Sequence, residues 1–142
     1  MAISDPQVGL VISYAFLWSH EHSAGAQEGR KSRPCAIVVA SDDDASGEPR
    51  IIVAPITHSP PKDPRLAVEI PAKVKAHLGL DADRSWVVCT ELNRFTWPGY
   101  DLRPIPGQTG NFAYGMLPRQ LFETIRRQIL DLDAALRTVT ER

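Results

Sequence analysis

Cysteine is scarce in this chain, with Cys35 and Cys89 the two thiols among 142 residues. Two thiols cannot build a disulfide framework or a four-ligand zinc site. Each lies in an apolar run, Cys35-Ala36-Ile37-Val38-Val39 and Trp86-Val87-Val88-Cys89. That setting predicts buried free thiols in a reducing cytoplasmic compartment, with a disulfide or a reactive thiol as alternatives. No apolar stretch reaches the roughly 18 residues of a membrane-spanning helix. A secretory leader needs positive charge ahead of its apolar core, yet the first eight residues hold no Lys or Arg and do hold Asp5. A charge excess is missing too. Sixteen Lys/Arg against seventeen Asp/Glu leave a net charge of −1, which excludes a basic nucleic-acid coat and an acidic tail protein but permits a local basic patch. The sequence also lacks a phosphate-binding glycine loop, a nucleophile elbow, regular βα alternation, internal repeats and low-complexity segments. The length and the 43 % apolar and 23 % charged composition fit one soluble domain over residues 1–142.

What is present reads as strands followed by a helix. Between Gly9 and Trp18 the large residues Leu10, Ile12, Tyr14, Phe16 and Trp18 recur at every second position, which predicts a first strand. Ser19–Ser32 reads as a polar loop. The β-branched run Pro34–Ala40 predicts a central strand buried on both faces. Asp42, Asp43 and Asp44 mark a solvated hairpin tip, since the spaced ligands and distal Glu of a calcium loop are absent. Arg50–Thr57 predicts a third strand, Leu66–Ile70 and Ser85–Leu92 two more. Pro71–Leu78 predicts a short helix, with Pro at its first position and Gly79 just past its end. Arg94–Phe112, rich in Pro and Gly, reads as a long loop of the kind that is usually functional or mobile. From Pro118 to Val139, Phe122, Ile125, Ile129, Leu132, Leu136 and Val139 form one helical stripe, suited to packing on a sheet or, less simply, to self-association. The fold class expected is mainly β (α+β): a curled antiparallel sheet with a short internal helix and a long C-terminal helix.

Three segments have residues suited to chemistry. Arg30, Lys31 and Arg33 place three cations before a buried strand, and a guanidinium anchored there can grip a phosphate through two parallel hydrogen bonds. The bland alternative is a solvated basic loop. Thr57 and His58 end another buried strand, where rigid backbone holds side chains well. Thr57 offers a hydroxyl donor and imidazoles ordinarily titrate near neutrality; the alternative is an ordinary strand-to-loop turn. Arg94, Trp97, Tyr100 and Arg103 interleave rings with cations, the pattern that holds single-stranded nucleic acid by base stacking and phosphate contact. The same rings could instead pin the loop to the core. His20-Glu21-His22 has no third ligand nearby and does not make a metal site.

In this order the motifs resemble the PemK/MazF-like family of toxin–antitoxin ribonucleases. The resemblance is carried by GRKSRPCAIVVA (Gly29–Ala40), VAPITHS (Val53–Ser59), WVVCTELNR (Trp86–Arg94) and YGMLPRQLFETI (Tyr114–Ile125). It implies a small SH3-like barrel with a C-terminal helix, a cytoplasmic homodimer, and a small antitoxin as partner. It also implies metal-independent, cofactor-free cleavage of single-stranded RNA (mRNA), with Arg33 and Thr57 as catalytic groups. His58 as an acid/base is an addition from the residues themselves, as are Arg30, Lys31, Glu91, Arg94, Trp97, Tyr100 and Arg103 as RNA contacts. Glu91 departs from the family pattern, which commonly has Gln there, and sets a negative charge beside the expected site. The competing reading is a non-catalytic binder on the same fold, such as a CcdB-like gyrase poison or a degenerate RNA- or peptide-binding module.

Overall fold

The structure, a computed structural model, describes residues 5–25, 31–41 and 47–142. Its strands are β1 (Leu10–Tyr14), β2 (Arg33–Ser41), β3 (Arg50–Thr57), β4 (Ala67–Glu69), β5 (Trp86–Val88), β6 (Glu91–Thr96), β7 (Ala113–Met116) and β8 (Thr138–Glu141). Its α-helices are α1 (Ser19–Ser23), α2 (Ala72–Leu78) and α3 (Arg119–Asp131). The hydrogen-bonded path runs β4-β5-β3-β2-β1-β7, with β6 on β3 and β8 on β6. All pairings are antiparallel except β6 with β8.

Strand β3 organises the molecule. One of its edges carries β2. The other is shared: β6 takes Arg50–Val53 and β5 takes Ile56 and Thr57. Two partners diverging from one edge add to the natural strand twist and curl the sheet. The ends of the path, β4 and β7, do not pair, so the sheet is barrel-like and open.

Both faces of the central strands are buried, which is why β2 reads as an unbroken apolar run. Val11, Ala36 and Ala54 face one core, closed by Phe122, Ile125 and Ile129 of α3. Their neighbours Ile12, Cys35 and Val53 face a second core with Tyr14, Phe16, Phe95 and Trp97. Period-two alternation sends adjacent side chains to opposite cores.

Several boundaries differ from the sequence reading. The polar segment from Ser19 opens with α1, capped by backbone N–H of Trp18 donating to Glu21 Oε1 at 3.1 Å. The single strand expected over Ser85–Leu92 is two, β5 and β6, and β6 claims Arg94, Phe95 and Thr96 from the expected loop. The C-terminal helix stops at Asp131, because Leu132 is extended (ψ 140). The chain then turns through Ala134–Leu136 and enters β8. Phe122, Ile125, Ile129 and Leu132 keep the buried stripe, whereas Leu136 and Val139 are exposed. Covering the otherwise bare edge of β6 offers backbone hydrogen bonds that further helix would not. The Asp42–Asp44 tip lies outside the described residues.

Cys35 and Cys89 are free and buried. Burial pushes both thiols up, Cys89 to about 12. Thiolate is the reactive form, so Ellman's reagent at pH 8 labels neither in the native protein and both after denaturation. Fast native labelling of either would contradict this packing.

Candidate active site

Arg33 begins β2 and Thr57 ends β3. The register Cys35↔Pro55, Ala36↔Ala54, Ile37↔Val53 extends two steps outward, through Pro34 and Ile56, to set Arg33 across from Thr57. Directly opposed residues on one face have Cβ atoms about 5 Å apart. Both residues line a single pocket of about 200 Å³ with Lys31, Ser32, His58 and Asp81. That volume is below the roughly 300–1,000 Å³ of drug-sized ligand sites and suits a single phosphodiester with its ribose.

The Arg33 guanidinium lies over the Trp18 ring, 5.1 Å from its centroid. Its Nε is buried with no hydrogen-bond partner. The stacked guanidinium is thus held in place while one of its donors stays unmet within the protein. Thr57 Oγ1 accepts from the backbone N–H of Ser59 at 3.2 Å, which leaves the hydroxyl hydrogen to donate elsewhere.

In a continuing strand His58 would point away from Thr57. The strand ends, the chain bends at His58 and Ser59, and His58 joins the same pocket. Its Nε2 lies 2.8 Å from Asp81 Oδ2. Asp81 Oδ1 accepts from Lys75 Nζ at 2.7 Å. Lys75 is 4 % exposed and also donates to Ser85 Oγ at 2.7 Å and to the Asp83 carbonyl. Three acceptors match the three N–H bonds of one ammonium, which makes its burial tolerable. The Lys75 ammonium, and then the His58 hydrogen bond, hold the Asp81 carboxyl below the usual carboxylate range. His58, Asp81 and Asp83 form a cluster that has the spacing for a cation. The carboxylate at its centre, however, is already neutralised by Lys75.

The other expected contacts do not gather at this pocket. Lys31 does line it, while Arg30 lies outside the described residues. Glu91 is turned to α1, where Oε1 accepts from Ser19 N at 2.9 Å and Oε2 from Ser19 Oγ at 2.6 Å. Its charge therefore caps a helix and fixes the backbone next to Trp18 instead of facing a substrate. Arg94 pairs with Glu141 and stands opposite Ile52, five residues or about 16 Å along β3 from Thr57. Trp97 is 7 % exposed within the second core, so its ring presents no stacking face. Tyr100 is 96 % exposed. Arg103 donates to the carbonyls of Tyr100 and Leu102 and braces its own loop. His20 and His22 are exposed on α1.

Sequence reading missed three supports: Trp18 beneath Arg33, Asp81 behind His58, and Lys75 behind Asp81. Trp18 was visible as a strand-end aromatic. No local signal links positions 58 and 81, which meet through tertiary packing. A larger groove of about 680 Å³ runs between α3 and the Pro64–Arg65 turn. Arg65, Arg127, Glu123 and Asp131 give it mixed charge, and none of the expected site residues lines it.

Among the described residues no helix is long and apolar enough to cross a membrane. No curated protein sequence matches the chain significantly. A family model described as the PemK-like, MazF-like toxin of type II toxin–antitoxin systems matches residues 16–96, more than half of the chain and the stretch that holds both Arg33 and Thr57. The chain therefore belongs to the PemK-like, MazF-like family of type II toxins.

Proposed function

We propose that this protein is a cytoplasmic endoribonuclease toxin that cleaves single-stranded RNA without a metal ion. It acts as a homodimer and is neutralised by a small antitoxin. One observation carries the reading: Arg33 and Thr57, 24 positions apart in sequence, line one phosphate-sized pocket. The substrate brings its own nucleophile. Its 2′-OH attacks the adjacent phosphorus, the 2′-O–P bond forms, and the P–O5′ bond breaks. The products are a 2′,3′-cyclic phosphate and a 5′-OH end, and the 2′ proton leaves to solvent. The protein's part is positioning and charge stabilisation. Arg33 clamps the phosphoryl oxygens as charge grows on them, and Thr57 donates a hydrogen bond to one of them. Guanidinium, always protonated, is an electrostatic clamp and no proton acceptor.

Incubation of the purified protein with mixed-sequence RNA in EDTA tests the reading. Fragments with 2′,3′-cyclic phosphate and 5′-OH ends are expected. Removing the hydroxyl in Thr57→Val slows cleavage about 10²-fold, the scale of one lost oxyanion donor. Intact RNA in EDTA, or cleavage that needs added divalent metal, would overturn the assignment.

A further inference from the structure

Resting on the nuclease reading, we propose that His58 is the general acid for the 5′-oxygen leaving group, with Asp81 and Lys75 as the positioning residues that fix its ring through Nε2. The geometry is specific. His58 engages Asp81 through Nε2, so Nδ1 is the ring nitrogen left for a substrate in the pocket it shares with Arg33 and Thr57. Asp81 is fixed on its other oxygen by a buried ammonium. That ammonium is itself anchored to Ser85 Oγ and the Asp83 carbonyl. A flexible surface carboxylate would orient a histidine poorly. This one is tethered to the fold at two points, since Oδ1 also accepts from Asp83 N at 3.2 Å.

The step balances. The imidazolium gives its Nδ1 proton to O5′ as the P–O5′ bond breaks, and the bond's electron pair stays on O5′. The ring is left neutral with its remaining hydrogen on Nε2, donated to Asp81. Water restores the Nδ1 proton after product leaves. Arg33 cannot do this work, because its proton is held too tightly.

Three measurements test the assignment. On ordinary RNA, His58→Gln lowers kcat about 10²- to 10⁴-fold, the usual scale of general acid–base catalysis. Asp81→Asn lowers it about 10- to 100-fold, as lost outer partners of a working histidine do, with little change in KM. On an RNA whose scissile 5′-oxygen is replaced by sulfur, the thiolate leaves without help. His58→Gln then cleaves at close to the wild-type rate, while Arg33→Ala stays inactive. Equal impairment of His58→Gln on both substrates would overturn the leaving-group role. The third readout needs no RNA: imidazole nitrogen shifts of neutral His58 show the Nε2–H tautomer in the wild type and Nδ1–H in Asp81→Asn, whose amide donates where the carboxylate accepted. The same tautomer in both proteins would overturn the positioning role. Wild-type protein that leaves RNA intact would instead remove the nuclease reading together with the acid role, whatever the tautomer shows.

Discussion

Arg33→Ala abolishes RNA cleavage, a loss of about 10³-fold or more, while the protein stays folded. The size follows from the chemistry. An arginine that meets a transferring phosphoryl group is worth about 10³–10⁵ in rate, and here no other described cation stacked on an aromatic ring lines the pocket. The small structural cost also follows. Arg33 is half-buried at the rim, its Nε has no hydrogen bond to lose, and its stacking on Trp18 is worth about 0.5–1 kcal/mol. The melting temperature therefore falls by only a few degrees. Arg33→Lys keeps the charge and loses the planar fork, so it recovers part of the rate and little of the affinity for a bidentate anion. Cleavage persisting in Arg33→Ala within tenfold of wild type would sink the assignment.

Asn93→Leu destabilises the fold by about 3 kcal/mol or more, although leucine is as large and more apolar. Asn93 is fully buried. Its Oδ1 accepts from Leu17 N at 2.8 Å and from Arg142 Nη1 at 2.9 Å. Its Nδ2 donates to the carbonyls of Leu17 and Leu92 at 2.8 and 3.1 Å. Leucine would leave the Leu17 N–H and C=O unpaired in the interior, each at a cost of about 1–3 kcal/mol. Arg142, whose side chain is 3 % exposed beside Asp101, would lose one acceptor. Thermal unfolding should show a drop of about 10 °C. Asn93→Asp keeps the acceptor facing Leu17 N and Arg142 and so falls between the two. A change under 1 kcal/mol for Asn93→Leu would mean water or backbone movement satisfies the Leu17 groups. The substitution also reaches the active site, because Leu17 precedes the Trp18 on which Arg33 rests.

These two positions differ in how they could be found. Arg33 stands out in the sequence as part of a basic run ahead of a buried strand, in motif order with Thr57, although a solvated basic loop reads the same way. Asn93 lies beside Arg94 in a segment that reads as strand end and loop, and nothing local marks it as the tether of Leu17. Glu91 illustrates the opposite error. As a residue type in the right motif it looked like a charge facing substrate, and the structure gives it to Ser19. Trp97 likewise looked like a stacking ring and is core. Composition and spacing report what a side chain can do, and burial decides whether it is free to do it.

The double-sided burial of β2, the span of β3 and the apolar stripe of α3 follow from local pattern alone, since alternation and helical periodicity are properties of neighbouring residues. Three features needed the folded chain: the end of α3 at Asp131, the return of β8 alongside β6, and the Lys75–Asp81–His58 chain behind the pocket. Each depends on competition between distant groups for backbone hydrogen bonds or for burial of a charge, and such a competition is settled only when the partners are brought together in space.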